Sequence, residues 1–131
     1  MTPPTNSKTA KFSALIVDDD PLIQRIHKAF LSRFGFHTQV AANGKEAVDL
    51  YLAGASFHLV LMDMEMPIMD GQKATRELRS MGASCLIVGL TSRDNGSDKR
   101  AFMAAGLDEC HAKPLTTDKT KSLVQLLKKN H

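Results

Sequence analysis

A chain of 131 residues is long enough to bury one core and too short for two, so a single domain is expected. With 43% hydrophobic and 24% charged residues, and no apolar run of membrane length, the composition argues against both a membrane span and a disordered chain. The formal charge of +3 comes partly from Lys8, Lys11, Lys128 and Lys129, without a basic stripe or interleaved aromatics, so no nucleic-acid partner is expected. Cys85 and Cys110 are isolated, which argues for reduced thiols and against zinc.

Residues 1–11 are rich in Thr, Pro, Ser and Asn and are expected to form a mobile tail, with the folded domain over 12–131. No apolar h-region occurs among them, so no secretory signal is expected. Phe12 to Val17 is an apolar run that ends on Asp18, Asp19 and Asp20. Asp20 before Pro21 reads as a helix cap, which leaves Asp18 and Asp19 without a structural reason. Adjacent carboxylates repel each other, and a bound cation would relieve that cost. The helix from Pro21 to about Phe34 carries Ile23, Ile26, Phe30 and Phe34 as its apolar face, with His27 beside it as a packed or rim residue. His37 to Ala41 reads as a weaker strand. Asn43-Gly44 then turns into a helix over 45–53, whose apolar residues are Ala47, Val48, Leu50, Tyr51 and Leu52.

Leu59 to Met62 is an apolar run of strand length, and it delivers Asp63 to a strand's carboxyl end before Pro67 and the Asp70-Gly71 turn signal. A short helix over 71–81 follows, then a strand from Cys85 to Leu90 that leads into Thr91 and Ser92. A helix over 95–105 is stopped by Gly106. A fifth strand, Leu107 to Ala112, ends at Lys113-Pro114, and a last helix capped by Thr116 or Thr117 closes the chain. Five alternations of strand and helix specify an α/β fold with a parallel sheet covered on both faces.

Parallel strands place their carboxyl ends on one edge, so Asp18, Asp19, Asp63, Thr91, Ser92 and Lys113 should meet there. Singly they read as a cap, a loop acid, a strand-end hydroxyl or a surface lysine. Together they make a cation site with a hydroxyl donor and one positive charge around Asp63, a set able to accept a phosphoryl group.

The segments Val17-Asp18-Asp19-Asp20-Pro21, Leu61 to Gly71, Gly89-Leu90-Thr91-Ser92 and Lys113-Pro114-Leu115 resemble the receiver domain of two-component response regulators, over about residues 12 to 128. The resemblance implies a flavodoxin-like, doubly wound five-stranded sheet of order 2-1-3-4-5 with five helices. It implies Asp63 as phosphoacceptor, Mg²⁺ as cofactor with Mn²⁺ as a substitute, Asp19 as a direct metal ligand, Asp18 as a ligand through water, and the Glu65 main-chain carbonyl as another. Lys113 and Thr91 would hold phosphoryl oxygens. The implied partner is a histidine phosphotransfer protein, with no membrane involved and a monomer expected. Because its phosphohistidine must come within in-line reach of Asp63, Leu22 and Ile23 beside the acids are the expected docking surface.

Three residues before Lys113, where receivers usually carry Tyr or Phe, stands Cys110, and the acid Glu65 follows the phosphoacceptor by two. Both, with Ser92, are expected to modulate the site. These features look similar to small plant type-C regulators, which lack an output domain. That implies a phosphate sink or phosphohistidine phosphatase in cytokinin signalling, expected in the cytoplasm and also in the nucleus. The rival class is a haloacid-dehalogenase-like Mg²⁺-dependent phosphohydrolase. Its Asp-x-Asp pair belongs on the first strand, where this chain has two adjacent acids instead.

Overall fold

The computed structural model describes residues 12–92 and 96–130, so the expected tail and Asn95 lie outside the described residues. Strands and helices alternate as β1 (Phe12–Val17), α1 (Pro21–Arg33), β2 (Phe36–Ala41), α2 (Gly44–Leu52), β3 (Leu59–Asp63), α3 (Gly71–Ser80), β4 (Leu86–Thr91), α4 (Gly96–Ala104), β5 (Glu109–Ala112) and α5 (Thr117–Asn130). All pairings are parallel and the sheet order is β2-β1-β3-β4-β5, as expected for the flavodoxin-like arrangement.

The two-residue period of a strand explains why β1 and β3 are continuously apolar. Ala14, Ile16, Leu59 and Leu61 face one layer with Leu31, Leu115, Leu123 and Leu127, while Leu15, Val17, Val60 and Met62 face the other with Ala47, Ala74, Leu78 and Phe102. Each fully buried aliphatic side chain of this kind stabilises the fold by about 2 kcal/mol. β2, at the sheet's edge, alternates between buried ends and more accessible residues.

Local signals set the helix ends. The Asp20 carboxylate accepts from Leu22 N–H at 2.9 Å with Pro21 in the first turn, Asn43 accepts from Glu46 N–H at 3.0 Å, and Asp70 from Lys73 N–H at 2.9 Å. Thr116 is the α5 cap, accepting from Lys119 N–H at 3.2 Å. Gly35 follows α1 at φ 89°, a conformation that disfavours side chains.

Three expectations need correction. The centre of the α1 face is His27 and Leu31, with Ile23, Ile26, Phe30 and Phe34 only half-buried around it. A stripe of apolar residues alone misses this row, because the row contains an imidazole with a polar partner. Leu52, the last residue of α2, is exposed rather than packed, one turn beyond the buried Ala47 and Val48. β5 starts at Glu109, not Leu107, since Ile87 N–H of β4 donates to the Asp108 carboxylate, which also pairs with Arg79, rather than to a backbone carbonyl of β5.

Candidate functional site

The carboxyl edge is built from four strand ends. β1 is prolonged by Asp18 N–H donating to Ala41 O at 3.1 Å, which draws the Asp18 side chain inside to 1% exposure. Its Oδ1 accepts from Asp20 N–H at 2.9 Å, and its carbonyl accepts from Gln24 Nε2 of α1 at 2.6 Å. Asp19, the next residue, is exposed. β3 ends on Asp63, 4% exposed, and Met64 N–H donates to Leu90 O at 2.9 Å, so the chain leaves the strand still tied to β4.

After Met64 the loop doubles back. Gly71 N–H donates to Met64 O at 2.9 Å, and a Cβ on Gly71 would lie 2.1 Å from the Asp63 carbonyl oxygen. The Asp70-Gly71 pair is therefore more than a turn signal, because glycine there lets the start of α3 press against the backbone of the acidic residue. Thr91 ends β4 with its side chain buried, and its carbonyl accepts from Lys113 N–H at 3.0 Å. Lys113 follows β5 and bridges the acids, with Nζ 3.0 Å from Asp63 Oδ1 and 3.1 Å from Asp18 Oδ2. The Lys113–Pro114 peptide is cis.

Asp18, Asp19 and Asp63 each offer a carboxylate oxygen within 4.8 Å of the others. Three carboxylates against the Lys113 ammonium leave two negative charges, the deficit that a divalent cation with oxygen ligands would cancel. Burial, with the Asp18 charge adding to it, pushes the Asp63 carboxyl up to about 6 against the opposing hydrogen bond from Lys113. Burial works against the Lys113 ammonium too, but its bonds and attraction to Asp63 and Asp18 prevail and raise its pKa.

The expected residues thus converge, save those that could only be placed nearby. Glu65 is exposed on the β3–α3 loop, its N–H donating to Asp63 Oδ1 at 3.4 Å, and it lines an open cleft of about 330 Å³ with Met64, Met66, Asp70, Gln72 and Asp98. Ser92 is exposed just beyond Thr91. Leu22 is 57% exposed at the start of α1 and Ile23 is half-buried beside it.

Cys110 is half-buried and pairs in register with Gly89 of β4. A Cβ on Gly89 would lie 2.5 Å from the Phe102 ring and 2.4 Å from Leu107 Cδ1. The fully buried Phe102 of α4 therefore lies over the β4–β5 pair, and an aromatic ring enters this layer from the helix rather than from the strand. The missing aromatic at 110 is legible in the sequence, whereas the packing of Phe102 against the register partner of Cys110 is not. The signal was Gly89, a small residue inside an apolar strand.

An open parallel α/β sheet with a buried carboxylate, two further acids and a bridging lysine at its carboxyl edge defines a flavodoxin-like fold with an acidic cluster where such sheets bind ligands. Residues 14–125 match the family model of the response regulator receiver domain. The chain is 47% identical over 122 residues to Two-component response regulator 24 of Arabidopsis thaliana (93% of this chain, 88% of that one), and 47% identical over 122 residues to Two-component response regulator ARR22 of the same plant (92% and 86%). The receiver domain of the Pseudomonas aeruginosa sensor histidine kinase PA1611, with a magnesium ion coordinated in its active site cleft, is similar at TM-score 0.78 and 28% identity, covering 88% of this chain and 96% of that one. A co-crystal structure of the Saccharomyces cerevisiae histidine phosphotransfer protein Ypd1 with the receiver domain of Ssk1 is similar at TM-score 0.79 and 27% identity, covering 89% and 88%. This chain belongs to the response regulator receiver family. That membership displaces the phosphohydrolase alternative and agrees with the expected likeness to plant regulators.

Proposed function

We propose that Asp63 accepts a phosphoryl group from a phosphohistidine of a histidine phosphotransfer protein, in a reaction that uses Mg²⁺ held by Asp18, Asp19 and Asp63 with the Glu65 carbonyl. The observation that carries this reading is the bridge from Lys113 Nζ to both Asp63 and Asp18 inside a three-carboxylate cluster. In the step, an Asp63 Oδ attacks phosphorus, the P–N bond to the imidazole breaks and a P–O bond forms, and the leaving imidazole nitrogen recovers a proton from solvent. Charge then sits on the equatorial phosphoryl oxygens. Lys113 is already within ion-pair distance of the nucleophile and can follow those oxygens, and the Thr91 hydroxyl is the neighbouring donor. The cation, when bound, supplies further positive charge to the same oxygens. Incubation with phosphoramidate and Mg²⁺ should add one phosphoryl group, mapped to Asp63 by mass spectrometry. Absence of label, or label elsewhere, would overturn the reading.

Support for the partner comes from the Ypd1–Ssk1 receiver complex among the structural neighbours, together with the exposed Leu22 adjoining the acids. An apolar patch at this rim suits a helical surface that must bring its histidine within in-line reach. Leu22→Glu should slow transfer from a phosphorylated phosphotransfer protein roughly tenfold while leaving phosphoramidate labelling unchanged. Equal loss in both assays would mean that Leu22 only supports the fold.

Glu65 favours a sink. The residue lines a solvent-open cleft that begins with Met64, next to the acceptor in sequence, and from there its carboxylate would orient a water that attacks phosphorus, releases inorganic phosphate and regenerates Asp63. Phosphoaspartate in Glu65→Gln should decay roughly tenfold more slowly than in the wild type. Faster decay would show that repulsion between Glu65 and the phosphoryl group dominates, and would remove the sink.

A further inference from the structure

We infer that His27 positions Lys113 for phosphoryl transfer, by accepting the Leu115 amide proton and thereby fixing the loop that carries the lysine. The inference rests on the function proposed for Asp63. Leu115 N–H donates to His27 Nε2 at 3.1 Å, joining residues 88 apart in sequence. Leu115 lies two residues beyond Lys113, and Pro114 between them has no N–H. From Lys113 to Leu115 the backbone therefore has two donors, and both are spent on distant elements: Lys113 N–H on Thr91 O of β4, and Leu115 N–H on α1. The lysine stem thus springs from a segment held on either side of it.

His27 is 1% exposed and sits in the same buried row as Leu31, a place where an aliphatic side chain would be the ordinary choice. A polar ring there costs free energy unless it is hydrogen-bonded, and the Leu115 amide supplies that bond. Burial favours the neutral ring, and the Leu115 donor selects the tautomer whose Nε2 carries the lone pair. One turn earlier on α1, Gln24 holds the Asp18 carbonyl. The helix therefore holds, through two side chains spaced i and i+3, the β1 end that carries Asp18 and the loop that carries Lys113, the two partners of one ion pair. If the acceptor is removed, the Leu115 N–H is buried without a partner, and the loop must move to satisfy it. Lys113 Nζ would move with the loop.

The test compares the intact wild-type chain with His27→Leu and His27→Gln, each with and without Lys113→Ala. Two quantities are read: the Asp63 labelling rate at saturating phosphoramidate with Mg²⁺, and hydrogen exchange of the Leu115 amide by NMR. His27→Leu should speed Leu115 exchange and slow labelling about tenfold, because small displacements of positioned groups are costly in rate. His27→Gln, whose Oε1 can accept the same proton, should restore labelling to within about threefold of the wild type. In the Lys113→Ala background His27→Leu should change the residual rate by less than about twofold, since the residue acts through the lysine. Should the Leu variant fail to fold, His27→Met offers an unbranched apolar chain without the nitrogen acceptor for the same comparison. Wild-type labelling in the apolar variant, a loss that persists without Lys113, or failure of Gln to rescue despite a protected Leu115 amide would each overturn the proposal alone. A wild-type chain that takes no label overturns the functional reading and the proposal with it.

Discussion

Asp63→Asn should abolish phosphoryl labelling and, in metal-free buffer at neutral pH, yield a more stable protein than the wild type. Loss of label follows from loss of the nucleophilic oxygen. The gain in stability follows from linkage. Burial raises the Asp63 carboxyl from 3.8 in the unfolded chain to about 6 in the fold, so the folded state binds the proton more tightly. A raised pKa contributes stability that is fully present below the unfolded value and is lost as pH rises through about 6. Above that pH the ionised carboxylate burdens the fold by at most about 3 kcal/mol, and Asn removes the burden while keeping the shape. In urea titrations the two proteins should unfold alike near pH 4 and differ most at pH 7 and above, with a corresponding difference of roughly 10 °C in the thermal midpoint. Mg²⁺ should narrow the gap, because a divalent cation taken up by the wild-type carboxylate cluster would stabilise the folded state by mass action. A wild type more stable than the Asn variant at pH 7 without metal would show that the Lys113 pair outweighs the burial of Asp63.

The arrangement of Asp18, Asp19, Asp63, Thr91 and Lys113 was legible because parallel strands leave no freedom in where their carboxyl ends lie. Once the apolar runs of β1, β3 and β4 were recognised, topology brought the residues after them to one edge. Caps were legible for a different reason: Asp20, Asn43, Asp70 and Thr116 act within four residues of themselves, and local chemistry is visible in local sequence.

What stayed hidden depends on contacts between distant segments. His27 was read as a residue beside an apolar stripe because periodicity ranks positions by hydrophobicity, and its partner Leu115 lies in a loop that periodicity does not describe. The Gly89–Phe102 contact was hidden likewise. A glycine in a strand says that something approaches, and only the folded chain says that it is a ring from α4. The length of β5 was overestimated because Leu107 is buried without being in the strand.

Gly71→Ala should be among the most damaging single-methyl additions at the site. Its Cβ would lie 2.1 Å from the Asp63 carbonyl oxygen and 3.0 Å from the Asp63 carbonyl carbon and Met64 Cα, all backbone atoms that cannot rotate away. The chain must separate α3 from the end of β3, and overpacking of this kind costs roughly 3 kcal/mol. The segment that moves begins with Asp63 and contains Glu65, so Mg²⁺ affinity and labelling should each fall by more than about tenfold. Gly82→Ala provides the comparison. That residue has φ +91° with nothing within 4 Å of the added methyl, so only backbone strain of about 1 kcal/mol is expected and the site should bind Mg²⁺ as before. Urea unfolding would measure the two stabilities, and a Mg²⁺ titration followed by NMR would measure the site. If Gly71→Ala bound Mg²⁺ with wild-type affinity, the contact between α3 and the Asp63 backbone would be a matter of packing alone, and the site's geometry would have to be held by Lys113 and the β1 acids without it.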